Sequence, residues 1–168
     1  VLPSLVSELS DLEFLDISRM QLSKLPSGPT FTKMTTLNAN HNQLRDVDKD
    51  WLEIPSLRSL NLANNILTRL SSGQAWLPSL RVLDLYNNHC QNWPLLSVTA
   101  PFLESIVLTN NRLTQIPKAV ECLPALKILR LSKNEIEEVT DFIDGCRMLE
   151  ELDLSHNNLR NLTPAIGH

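Results

Sequence analysis

The feature that most constrains this chain is a period. Leu12, Met34, Leu57, Leu80, Leu103, Leu126 and Leu149 follow one another at spacings of 22, 23, 23, 23, 23 and 23 residues. From each start, further apolar residues fall three, five, ten and thirteen positions on, as in Leu57, Leu60, Leu62, Leu67 and Leu70. Asparagine recurs eight positions on, at Asn42, Asn65, Asn88, Asn111, Asn134 and Asn157. Proline recurs two positions before a start, at Pro55, Pro78, Pro101 and Pro124. Self-similarity at this spacing means a solenoid, in which one unit cannot bury its own apolar face and stacked neighbours share a continuous core.

Within each unit the local pattern is legible. Apolar residues at the third and fifth positions with polar residues between them alternate with period two, which predicts a short strand with one buried face. Asparagine follows where the strand ends and the chain turns, and its amide can serve backbone groups there. The remainder of each unit, through proline, predicts loops and short helical or 3-10 turns on the outer side.

The run LxxLxLxxNxL, carried by "LRSLNLANNIL", "LRVLDLYNNHC", "LESIVLTNNRL", "LKILRLSKNEI" and "LEELDLSHNNL", resembles the leucine-rich repeat family. The resemblance covers essentially the whole chain. It implies an α/β solenoid, a horseshoe with a parallel β-sheet on its concave face and short turns on the convex face. It also implies a non-catalytic scaffold that binds a protein partner on the concave face. Residues 1–168 form one repeat segment: a partial repeat at 1–11, seven repeats, and truncation of the last. Neither end shows a cysteine-rich or strongly polar cap, so the segment is expected to belong to a longer array. Alternatives of a different class are the regulatory arm of a larger signalling enzyme and part of an extracellular receptor or adhesion ectodomain.

Composition and motifs narrow the function further. Fifteen basic and nineteen acidic residues give a net charge of −4, against a nucleic-acid partner. No apolar run is long enough to insert in a membrane. No metal-ligand spacing, phosphate loop or nucleophile elbow is present, so no cofactor and no metal are expected. Asp153, Ser155 and His156 lie together in one strand end, but sister repeats lack them, and triads are built across a pocket. Three cysteines without a C-x-x-C pair read as core thiols, Cys90 and Cys146 in leucine columns. They favour the cytoplasm, with an extracellular location as the alternative. Trp93 fills a core column, whereas Trp51 and Trp76 fall on the outer return, where partial burial is expected.

The concave face is expected to carry positions two, four and six of each repeat, with position seven at its edge. Position four is Asp or Asn in five of seven repeats, and Val107 and Arg130 break that run. With Val82, Tyr86 and Ile128 they should form one apolar patch, with Arg130 and Lys133 at its side, suited to a protein partner.

Overall fold

The computed structural model describes residues 9–25, 31–70, 77–93, 100–117, 120–121, 123–139 and 145–161. Trp76, Cys122 and Leu162, to which the sequence assigns places in the repeat, lie outside them. Seven three-residue strands are formed: β1 (Phe14–Asp16), β2 (Thr36–Asn38), β3 (Ser59–Asn61), β4 (Val82–Asp84), β5 (Ser105–Val107), β6 (Ile128–Arg130) and β7 (Glu151–Asp153). Each occupies positions two to four of its repeat. All are parallel and follow chain order in one sheet. The register is unshifted, so that Leu37, Leu60, Leu83, Ile106, Leu129 and Leu152 stand side by side.

The ladder outlasts the strands. The N–H at position five reaches the next repeat's position-four carbonyl, as in Leu62 to Asp84 at 2.8 Å, and position seven does the same one step on, as in Asn64 to Tyr86 at 2.8 Å. Before the strand a tight turn closes from position −3 to the start residue, as in Leu57 N–H to Ile54 O and Leu126 N–H to Leu123 O. The periodic proline sits second in that turn, where its fixed φ suits the bend and its missing N–H is not needed.

The positions three, five, ten and thirteen converge on one apolar core running the length of the array, with Leu60, Leu62, Leu67 and Leu70 each at 1% exposure or less. Cys90 and Cys146 join it as thiols, donating weakly to the Leu67 and Val120 carbonyls. Burial pushes the Cys90 thiol up to about 12. Burial likewise raises Cys146, with Glu121 adding to the effect.

One expectation about the core is corrected, and two details are added to it. Trp51 is not half-exposed but 1% exposed. The short helix α1 (Lys49–Leu52) turns it inward, and its ring meets Phe31 at a centroid distance of 5.6 Å. Leu9 shares a column with the buried Ile54, Leu77 and Leu123 yet is 52% exposed, although its carbonyl still closes the turn to Leu12. Trp93 is buried as its core column requires, and its indole N–H meets no acceptor among the described residues.

Candidate functional site

The site begins with the turn that ends each strand, because that turn fixes what faces outward. The asparagines at position eight are buried from Asn42 to Asn134, and Asn157 is half-buried. In the central repeats each makes the same set of bonds. Asn88 Oδ1 accepts the Leu67 N–H of the preceding repeat at 3.0 Å. Its Nδ2 donates to the Leu62 carbonyl one repeat back at 3.0 Å and to its own Leu85 carbonyl at 3.2 Å. Each repeat's turn is therefore closed by its successor. In the first repeat Met20 stands in place of asparagine, and Asn42 Oδ1 takes both the Met20 and the Leu22 N–H.

Position seven is held in the left-handed region in every repeat, from Arg19 (φ 57°) through Asn87 (φ 52°) to His156 (φ 55°). That conformation is costly for residues with a β-carbon, and least so for Asn. Sequence reasoning missed it, because Arg, His, Asn and Lys share the position and only the three asparagines signal the backbone. Those asparagines form a second, exposed ladder: Asn87 Nδ2 donates to Asn64 Oδ1 at 2.8 Å, and Asn110 Nδ2 to Asn87 Oδ1 at 2.6 Å. Position six is also reassigned. The strand ends at position four and alternation stops there, so position six is mixed: Ala63 and Ser132 are buried rather than displayed, whereas Tyr86 and Ser155 stay exposed.

On the face left exposed, Val82 and Tyr86 are each 40% accessible, Val107 and Ile128 are half-buried, and Arg130 and Lys133 are exposed. The register sets Val82, Ser105 and Ile128 in one row and Asp84, Val107 and Arg130 in the next. Arg130 is not an open cation at the side of this patch. Its Nε and Nη2 grip the two carboxylate oxygens of Glu151 at 2.6 and 3.2 Å. Each partner stabilises the other's charge, holding Glu151 low and Arg130 high. Lys133 takes the strained position-seven conformation at the edge (φ 55°).

The position-four column has its own device. In five repeats an Asp or Asn Oδ1 accepts the N–H two residues on: Ser18, Asn40, Ala63, Tyr86 and Ser155. The three carboxylates in this column differ in what else they hold. Asp16 also takes the Asn38 amide, and Asp153 takes the Ser155 hydroxyl at 2.7 Å. Hydrogen bonds led by the Ser18 and Ser155 side chains keep both carboxyls below the ordinary range. Burial instead pushes the Asp84 carboxyl up, against the Tyr86 N–H and the more distant Arg130.

The Asp153, Ser155 and His156 string does not assemble a relay. The Ser155 hydroxyl proton goes to Asp153, and His156 sits beyond them in the left-handed turn. Among the described residues no His, Cys, Asp and Glu side chains gather as a metal site, and no helix is long and apolar enough to cross a membrane. A groove of about 500 Å³ lies away from the strands, lined by Gln91, Asn92, Arg112, Thr114 and Glu135.

The geometry has parallels among known proteins. No curated protein sequence matches the chain. Among solved structures, the functional domain of InlJ from Listeria monocytogenes, which includes a cysteine ladder, is 25% identical with a TM-score of 0.71. That match covers 94% of this chain and 33% of the other. A Leptospira interrogans leucine-rich repeat protein is 26% identical with a TM-score of 0.64, over 96% of this chain and 47% of the other. The ectodomain of the Arabidopsis thaliana receptor kinase GASSHO1/SCHENGEN3, in complex with Casparian strip integrity factor 2, is 23% identical with a TM-score of 0.67. It is matched over 93% of this chain and 19% of its own length. The chain thus spans less than half the length of each of these structures. The leucine-rich-repeat family profile matches residues 32–91 and 101–159, most of the sequence. With seven in-register coils, the asparagine-closed turns and that match, the chain belongs to the leucine-rich repeat family.

Proposed function

We propose that this chain is a non-catalytic interaction scaffold that binds a protein partner on its concave face. The contact is centred on Val82, Tyr86, Val107 and Ile128, with Arg130 and Lys133 on the rim. The observation that carries the reading is the contrast along one sheet face. The columns beside the strands are mostly Asp, Asn, Ser and Thr, and apart from the exposed Phe14 on the end strand β1 the apolar side chains come together in three adjacent repeats. An exposed apolar cluster inside a polar surround favours a macromolecular contact. Seven strands at roughly 4.8 Å give a face of about 30 Å, enough for a standard interface. The ligand-bound plant ectodomain shares the fold and supports the same use of it.

The reading is tested by placing a photo-crosslinking residue at Tyr86 and, separately, at the exposed Arg69 on the outer turn. A protein crosslinked from position 86 and not from 69 is expected. Equal capture at both positions, or capture at 69 alone, would refute it.

The compartment follows from a second consideration. The cytoplasmic expectation rests on thiols, yet Cys90 and Cys146 are buried and protonated, and so are protected in either compartment. The plant receptor ectodomain among the structural neighbours favours the extracellular alternative. Asn161, in the motif Asn161-Leu162-Thr163, is exposed and offers a check. A glycan there on material from the native host places the chain outside the cytosol, and recovery of the native chain from the cytosolic fraction alone refutes the extracellular reading.

A further inference from the structure

Asp84 carries a charge that the fold does not need. The position-four bond to the N–H two residues on is made by Asn38 and Asn61 as well as by Asp16, Asp84 and Asp153. A neutral amide oxygen therefore suffices at this place in the coil. Where the column does hold a carboxylate, it is elsewhere given extra donors: the Asn38 amide at Asp16, and the Ser155 hydroxyl at Asp153. Asp84 has the Tyr86 N–H at 2.9 Å and no second hydrogen-bond donor among the described residues. Its row neighbours are Asn61 on β3 and Val107 on β5, and Val82 and Tyr86 stand two residues to either side on its own coil. The nearest cation on the face, Arg130, lies beyond Val107 and is gripped by Glu151. A half-buried carboxylate with Val82, Tyr86 and Val107 around it, and with an oxygen that neither they nor Asn61 engages, is a poor stabiliser of the chain and a good acceptor for a cation brought from outside.

We propose that the concave patch recognises a protein segment presenting a lysine or arginine among apolar residues, with the cation bound by the open oxygen of Asp84 and its flanks packed on Val82, Tyr86 and Val107. This rests on the function proposed above and names the partner chemistry. Charge complementarity selects the occupant. With Arg130 and Glu151 neutralising each other, Asp84 and Asp153 remain on the rows that face the patch and outweigh the single rim cation, Lys133. Tyr86 adds a ring face beside the bound cation.

The test is selection of phage-displayed random dodecapeptides against the 168-residue chain, repeated on Asp84→Asn and on the double variant Tyr86→Ala/Val107→Asn. Asn at 84 copies the arrangement at positions 38 and 61, so the thermal midpoint of that variant should not fall. Wild-type selection should enrich peptides with Lys or Arg flanked by apolar residues, and Asp84→Asn should weaken the chosen peptides by about tenfold or more. The double variant should abolish binding of the same peptides. Peptides that need Tyr86 and Val107 but show neither basic enrichment nor sensitivity at 84 would overturn this inference and leave the binding face standing. Peptides indifferent to the double variant, or no selected peptides, would count against both. A large drop in the midpoint of Asp84→Asn would show that the charge serves the fold, and would overturn the inference independently.

Discussion

Replacing Asn88 with alanine separates the closed-turn arrangement from simple packing. Asn88 is 3% exposed, and its loss strips four backbone groups unequally, the Tyr86 carbonyl only of a long 3.4 Å contact. The Leu62 carbonyl keeps the Asn65 amide and the Leu85 carbonyl keeps the Asn111 amide, so each loses one of two donors. The Leu67 N–H loses the acceptor that held it. A buried N–H without a partner costs about 1–3 kcal/mol, and each weakened carbonyl adds roughly 0.5–1 kcal/mol, for about 2–5 kcal/mol in all. Asn157 provides the comparison. It makes the same bonds to Ile136, Leu131 and Leu154, but it is half-buried, so water can replace much of what is removed. Asn157→Ala should cost only about 1 kcal/mol. Urea unfolding followed by far-UV circular dichroism gives both numbers, provided the slope with denaturant is unchanged. Asn88→Asp sharpens the test, since it keeps the shape and the acceptor but turns an oxygen toward two carbonyls. It should be at least as damaging as alanine at neutral pH. An Asn88→Ala cost below about 1 kcal/mol, or equal to that of Asn157→Ala, would refute the reasoning.

Three further outcomes follow from the same geometry. Lys133→Asn should raise stability by roughly 0.5–1 kcal/mol in urea unfolding, because asparagine tolerates φ of 55° better than lysine, as its counterparts at 64, 87 and 110 do. Gly145→Ala should cost about 1–3 kcal/mol, because a β-carbon there would lie 2.7 Å from Glu121 Cγ and 3.2 Å from its Cα. A thermal midpoint equal to that of the wild type would show that this close approach is not a constraint. Cys90 should resist iodoacetamide at pH 8 until urea is added, and mass spectrometry of the alkylated peptide reads this out. Its thiol titrates near 9.0 when unfolded and near 12 when folded, so the stability it lends is complete below pH 9 and declines as pH rises toward 12.

How far the sequence reaches is clearest at particular residues. Leucines at positions three and five and a recurrent asparagine located every strand, because the alternation and the turn are written in side-chain types. The left-handed residue was not legible, because the stack imposes it on the backbone and leaves the side chain to vary among Arg19, His41 and Lys133. The Arg130–Glu151 pair was hidden for another reason. It runs diagonally between positions four and two, so its spacing of 21 residues does not match the period. Trp51 was misplaced because, among the described residues, α1 interrupts the outer return in its own repeat alone. The patch residues themselves could be read from their columns, but the isolation of Asp84 could not, because it depends on which neighbouring hydroxyls and amides turn toward each carboxylate.

The unshifted strand register has an evolutionary consequence. Because every column stays aligned across a junction between whole coils, excising residues 103–125 would set Ile128 directly beside Val82 and Arg130 directly beside Asp84. One deletion would bring that guanidinium within reach of the open carboxylate and shrink the apolar cluster, with no rearrangement of the scaffold. The recognition surface of such a chain is a mosaic whose tiles can be dealt out, dropped or reordered by recombination, and a new specificity can arise by splicing before any single side chain has mutated.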